Sequence, residues 1–399
     1  MWSRRSPTLS IASRPSSPLL QPIDALLVQW LKHDPCTSPL PVSDSSQWAE
    51  LLDAAARHAL LPILYQAAKM HPDMMPSDMM QELQERTNGI AAKNLWLASE
   101  LRLILTAMQE QQIRCIPLRG VALAEQLHGH LAMRPTGDLD VLIRQDDLPQ
   151  IRDLFRAMGY IEAEPRRGFA EAFYYTLELF KEGLQPLTVE PHWSLAYPPF
   201  HRMPMEPVWG RCRPGTVLGI PSEQLAPEDL LIHLCLHNLH HGHTSPLLWS
   251  YELTKMLHTQ SLDWTLVVTA ARASRVHLLI HASLRELRER FAVLIPDSIM
   301  QELAAQSDAA QHRLAVWLTP PSSTKGKGHE YVATLISLPG LRAKGRFLIG
   351  YLFPSTTFIR IQYGTTGGWS TGCRYLKRLG MIVWEGCRGL IRLLWRSKR

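Results

Sequence analysis

The sequence predicts an α+β fold, a small β-sheet core flanked by N-terminal and C-terminal helical regions. Three observations lead there. Strand-length apolar runs are confined to the middle of the 399-residue chain, and stretches of helical periodicity lie on both sides of them. One of these runs, Asp138-Leu-Asp-Val-Leu-Ile143, carries two aspartates at i and i+2 in otherwise apolar surroundings. The length allows two or three domains with a substantial core, and a hydrophobic content of 46% is ordinary for a globular chain.

Residues 1–22 are rich in Ser, Pro and Arg and hold no acidic residue. They read as a disordered tail and lack the apolar core of a secretory signal. Residues 23–111 read as a helical lead-in that packs on the sheet. Helices are expected over 23–32, 47–69 and 79–111. Leu51, Leu52, Ala55, His58 and Ala59 share one face of the second, and Leu97, Leu101, Ile104, Leu105 and Met108 form the buried side of the third.

Residues 112–225 hold the sheet. Ile113 to Leu118 reads as a strand ending at Arg119-Gly120, and Val121 to His130 as a helix. That order brings backbone N–H groups at a helix N-terminus up to an anion. In the next strand, alternation puts Asp138 and Asp140 on one face and Leu139 and Val141 on the other. Adjacent like charges repel, and a hard divalent cation such as Mg²⁺ or Mn²⁺ removes the repulsion while bridging substrate phosphates. The competing reading is a strand edge with two solvated aspartates. Gly137 permits a close turn before the pair, and Arg134 stands where it can reach a phosphate. A helix over 145–158 follows, closed by Gly159-Tyr160. Strands are then expected over 172–180 and 186–193, joined by a hairpin loop at 181–185. Glu190 and His192 share a face of the second. A third carboxylate on a neighbouring strand is what a two-metal phosphoryl-transfer site needs, to bind a metal or to take the proton of an attacking hydroxyl.

Leu118-Arg-Gly120, Met133-Arg-Pro-Thr-Gly-Asp-Leu-Asp-Val-Leu142, Gly159-Tyr160 and Val189-Glu-Pro-His-Trp193 occur in this order. Together they resemble the uncharacterised bacterial nucleotidyltransferase family of the DNA polymerase β-type superfamily, over roughly residues 90–260. The resemblance implies a small mixed sheet, a nucleotidyltransferase core with a helical segment after it. It implies transfer of a nucleoside monophosphate from an NTP to a hydroxyl or amine of a small molecule, peptide or protein. On that reading Asp138, Asp140 and Glu190 are catalytic and hold Mg²⁺ or Mn²⁺. Arg119, Gly120, Arg134 and Gly137 bind the nucleotide, and His192, His237 and Glu252 line the acceptor pocket. Two positions depart from the pattern. Gly120-Val121 replaces a Gly-Ser pair, which removes a hydroxyl from the triphosphate grip, and Arg119 stands where lysine is common. A catalytically silent nucleotide-binding or scaffolding relative is the alternative.

Residues 226–318 read as a second helical region, opened by Ala226-Pro-Glu-Asp229. His233, His237 and His240 recur at i, i+4 and i+7 on one helix face. A zinc hydrolase site is one reading, but no His-Glu-x-x-His pattern accompanies them, and packing histidines are the favoured one. Glu252 follows in Trp249-Ser-Tyr-Glu252, where it lines a pocket or caps a helix.

Residues 319–399 form a basic C-terminal region. Residues 321–399 hold fourteen Lys and Arg against two acidic residues, although the whole chain is only +6. This asymmetry points to an anionic partner. Over 374–396 a helical projection sets Arg374, Lys377, Arg378, Arg388, Arg392 and Arg396 against Leu376, Leu379, Val383, Cys387, Leu390 and Leu394. Such a helix lies in an anionic membrane interface or docks its apolar side on the protein. Nucleic acid is disfavoured because no aromatic stacking motif accompanies the charge. The six cysteines form no Cys-x-x-Cys pair, and no apolar run reaches membrane-spanning length. The expected location is therefore cytoplasmic, with peripheral attachment at the inner face of the membrane if the C-terminal helix binds lipid.

Overall fold

The helical periodicity of the first hundred residues is realised as four helices, α1 (Pro22–Trp30), α2 (Trp48–Arg57), α3 (Leu61–Met70) and α4 (Ser77–Glu110). The computed structural model describes residues 22–35, 38–42, 47–164, 168–183, 185–196, 201, 203–241, 245–305, 334–335, 337–363, 372–382 and 384. The expected tail, apart from Pro22, lies outside them. The helix expected over 47–69 is broken in two at Ala59, which adopts φ 58°, and Pro62 fits the first turn of α3.

Five strands form one mixed sheet: β1 (Cys115–Pro117), β2 (Leu139–Ile143), β3 (Ile161–Glu162), β4 (Leu179–Lys181) and β5 (Leu187–His192). Their order is β1-β2-β5-β4-β3, with β2 and β5 parallel and the other neighbours antiparallel. Helices α5 (Gly120–His128) and α6 (Leu148–Ala157) follow β1 and β2.

One strand differs from expectation. Within 172–180 only Leu179–Phe180 belongs to a regular strand, Thr176 makes an isolated bridge to His192, and Phe169–Phe173 is a short helix, α7. Phe169 and Phe173 stand one turn apart, so a helix lets both rings pack inward together, where a strand would not. A two-stranded hairpin, β6 (Arg213–Val217) and β7 (Ile220–Gln224), follows helix α8 (Met205–Arg211). It was not expected, because its turn residues Leu218 and Gly219 both adopt positive φ and leucine is no marker for such a turn.

Helices α9 (Pro227–His241), α10 (Leu247–Thr259), α11 (Trp264–Ala273), α12 (His277–Phe291) and α13 (Asp297–Ala304) form the second helical region. They share one hydrophobic core with α1, α2 and α3, and Ile116, Leu118 and Leu142 join it from the sheet. The other sheet face, with Leu139, Val141 and Val189, packs on α4 and α6 in a second core. The sheet is therefore a partition between two cores, and polar side chains on its first face are enclosed between strand and helix. Farther along, α14 (Gly340–Leu352) and α15 (Thr356–Tyr363) precede a helix at 372–382.

The turn from β1 into α5 is the tightest point near the acidic strand. Gly120 has φ +60°, and a Cβ there would lie 2.9 Å from Thr136 Cγ2 and 3.4 Å from the Asp138 carbonyl oxygen. Gly120→Ala is expected to cost about 1–3 kcal/mol, read as a lower Tm, because strain and contact act together. A variant within 0.5 kcal/mol of wild type, a bound set by ordinary surface substitutions, would show that this turn relaxes freely.

Candidate active site

Parallel pairing of β2 with β5 sets Asp140 directly opposite Glu190. On the other side of Glu190, the β4–β5 register runs from Leu179↔Val189 toward the Thr176–His192 bridge, which brings Glu178 opposite Glu190. Alternation then places Asp140, Glu190 and Glu178 in a row on the face that looks toward α9. Asp138 immediately precedes β2 and is close enough to feel the charges of Asp140 and Glu190.

Asp140 is buried and fully engaged. Arg119 Nη2 meets its Oδ2 at 2.7 Å, and His192 Nε2 donates to its Oδ1 at 3.0 Å. His192 Nε2 also lies 3.5 Å from Glu190 Oε2. Arg119 reaches across to α9, where Nη1 donates to the His237 ring, which in turn packs on Trp249 at 4.3 Å between centroids. Arg119 Nε is buried without a hydrogen-bond partner.

These contacts divide the acids by charge state. Burial pushes Asp140 up, but the Arg119 charge and the His192 hydrogen bond outweigh it and hold the carboxyl well below its ordinary range. Asp138 is driven the other way: burial and the Asp140 and Glu190 carboxylates raise it, against weaker help from Arg119 and Arg134. Glu178 is pushed up to about 7 by burial and by Glu190. Burial works against a charged His192, yet its bonds to Asp140 and Glu190 raise it overall. His233 is buried and held well below its ordinary value, by burial first and then by Arg119 and His192.

The high Glu178 value has a testable consequence for pH. Its folded pKa exceeds its ordinary 4.5, so the folded state holds this proton more tightly than the unfolded state. The cost of ionisation is absent below about pH 4.5, grows with pH, and is complete above about 7. Glu178→Gln should therefore match wild type at low pH and exceed it by about 1–2 kcal/mol at pH 8, after allowance for solvent screening. Comparing the two proteins in chelator removes the contribution of the buried histidines, which both share. A gap that is constant across pH would count against the row of acids.

The other expected site residues are placed as follows. Arg134 is buried and pairs with Glu252, Nε to Oε1 at 3.0 Å, while His128 Nε2 lies 3.4 Å from the same carboxylate. These two groups thus form an internal ion pair behind the acidic strand. Asn94 of α4 clamps that loop, donating to the carbonyl oxygens of Leu131 at 2.6 Å and Arg134 at 2.7 Å. Gly137 is exposed, and a Cβ there would meet open space. His192, expected at an acceptor pocket, sits among the acids. Glu178 was missed although it lies within the run expected as a strand over 172–180, because only the β4–β5 register shows that it faces Glu190.

Among the described residues, His233, His237 and His240 do not form the metal-binding group of the zinc reading. His233 is buried, His237 binds Arg119 and His240 lies on the exposed side. Among the described residues, the group of three donors that can hold a metal is Asp140, Glu190 and His192, with ligand atoms within 4.8 Å of one another. Hard carboxylate oxygens fit Mg²⁺ or Mn²⁺, provided that Arg119 yields Oδ2 of Asp140.

With this geometry in hand, residues 44–311 match a family model described as an uncharacterised nucleotidyltransferase. The chain is also similar to the crystal structure of an antigenic nucleotidyltransferase-like protein from Paracoccidioides brasiliensis. The two are 13% identical, with a TM-score of 0.35, over 55% of this chain and 97% of that one. No curated protein matches.

Proposed function

The chain belongs to the uncharacterised nucleotidyltransferase family, and from that premise we propose that it transfers a nucleoside monophosphate from an NTP to a hydroxyl or amine acceptor. The observation that carries the proposal is the Asp140↔Glu190 register with Asp138 beside it, one helix after the glycine turn at Arg119-Gly120, whose arginine pairs with Asp140. The new bond joins the acceptor oxygen or nitrogen to the α-phosphorus, the α–β phosphoanhydride bond breaks, and pyrophosphate leaves. Asp140, Glu190 and His192 lie close enough to hold Mg²⁺ or Mn²⁺ with Asp138 beside them, and the ion would supply charge neutralisation for the phosphates.

The chain's own residues supply the rest. His192 holds Asp140 in position and ionised. Arg119 is its counter-ion, and with Nε unpartnered it is the cation placed to meet the triphosphate once Asp140 is otherwise neutralised. The free N–H groups at the start of α5 add to that anion site. A carboxylate of the row accepts the proton released by the acceptor.

A second reading, nucleotide binding without transfer, is favoured by one feature. Val121 is fully buried where a serine hydroxyl would grip phosphate. The protein incubated with each α-labelled NTP, Mg²⁺ and cell extract distinguishes the readings. Label transferred to an extract component supports the enzyme, and retention of unreacted NTP on the protein supports the silent relative. Neither transfer nor retention with any NTP removes both.

A further inference from the structure

The C-terminal helices carry a second surface, unrelated to the acidic row. Helix α14 is seated on the core by its inner side. Phe347 meets Phe173 at 5.4 Å between centroids, and Gly350 lets α14 approach so closely that a Cβ would overlap the Phe169 ring. That side is satisfied, yet the opposite side is also apolar. Leu341, Gly345, Leu348 and Leu352 recur at i, i+4, i+7 and i+11, and Ile349 borders them. Leu341 is 88% exposed and Ile349 64%. Arg342 and Arg346 flank the stripe on one edge and Lys344 on the other.

The helix at 372–382 continues the pattern, with a correction to the expected amphipathic projection. Arg378 faces inward: its guanidinium lies 5.0 Å from the Tyr351 ring and 5.3 Å from the Phe358 ring, and Nη2 donates to the Tyr351 carbonyl at 3.1 Å. A planar cation suits such an aromatic seat, and Tyr375 donates to the Pro354 carbonyl beside it. In consequence Leu376 turns outward, 72% exposed, as does Trp384, at 65%. The remainder of the expected helix, 385–396, lies outside the described residues.

We propose that the outer faces of α14 and of residues 372–382, with Trp384, form a docking surface for an anionic lipid bilayer. Charge selects this occupant. No acidic residue lies between Glu330 and Glu385, whereas Arg342, Lys344, Arg346, Arg360, Arg374 and Lys377 all do and remain at least partly exposed. A second copy placed on this surface would set like charges face to face, which an isologous contact penalises. An anionic bilayer neutralises them and accepts leucine, isoleucine and tryptophan at the headgroup boundary. No helix among the described residues is long and apolar enough to cross a membrane, so the surface lies on the bilayer.

The test is co-sedimentation of the full chain with phosphatidylcholine vesicles with and without phosphatidylglycerol. Binding is expected only with phosphatidylglycerol and should weaken with added salt. Arg342→Gln and Arg346→Gln should each lower the partition coefficient about fivefold, and Leu348→Glu/Ile349→Glu should abolish sedimentation. Arg342, Leu348 and Ile349 are exposed, so their variants should keep the melting temperature, whereas Arg346→Gln also gives up the contact of its guanidinium with the Phe173 ring at 5.9 Å and is read by sedimentation alone. Met70→Glu, which alters an exposed apolar residue on α3, should sediment like wild type. Equal binding to both vesicles, no binding to either, or equal loss in Met70→Glu would overturn the proposal. So would light scattering that shows a dimer dissolved by Leu348→Glu/Ile349→Glu, because the occupant would then be a second copy.

Discussion

Asp138→Asn is expected to abolish nucleotidyl transfer while leaving the metal-free protein at least as stable as wild type. Asp138 has no counter-ion of its own among the ion pairs of the site, and burial, Asp140 and Glu190 all penalise its charge. An amide of the same shape removes that penalty, so the Tm in chelator should stay level or rise above neutral pH. Transfer behaves in the opposite way. A carboxylate poised against repulsion is useful only when a cation and a triphosphate arrive, and removing it should lower the rate by at least about 10²–10³-fold. The combination of gained stability and lost activity separates a functional acid from a structural one. Full transfer by Asp138→Asn in Mg²⁺, or a marked loss of stability in chelator, would each contradict this role.

The Asp-x-Asp strand, the glycine turn and the Glu190 strand were legible because each rests on a short-range rule. Alternation put Asp138 and Asp140 together, and strand-glycine-helix order put Arg119-Gly120 beside them. What the sequence could not reveal depends on register and packing. Glu178 reaches Glu190 only through the β4–β5 pairing. Arg134 and Glu252 are 118 residues apart, and nothing local marks them as one buried pair. Arg119 was expected at the nucleotide grip, and its partners Asp140 and His237 come from the sheet and from α9, beyond the reach of a local pattern. The same limit explains α7. Its aromatic run has strand propensity, and contacts with α14 nearly two hundred residues away decide in favour of a helix. Arg378 is the surface counterpart: a helical projection assigns it to solvent, while the Tyr351 and Phe358 rings draw it inward.

Asp140→Asn is expected to act through stability as strongly as through activity, in contrast to Asp138. Both oxygens of Asp140 accept from buried donors, Arg119 Nη2 and His192 Nε2. An asparagine offers one acceptor and one NH₂. With its oxygen toward Arg119, its NH₂ needs His192 Nε2 as an acceptor, and the ring proton must move to Nδ1, which is buried without a partner. Arg119 meanwhile keeps a full charge with no anion in direct contact. Breaking one side of a buried ion pair costs about 3–5 kcal/mol, so a Tm lower by roughly 4–6 °C is expected for a chain of this size. Removing the orphaned charge as well should recover much of the loss, because no buried charge is then left without a partner. The double variant Arg119→Met/Asp140→Asn should therefore be more stable than Asp140→Asn alone, although equally inactive. If the single variant melts with wild type, Arg119 finds solvent or another anion, and its place as the counter-ion of the site is lost. If the single variant melts low and the double variant lower still, the cost lies in packing around Asp140 and not in the pair.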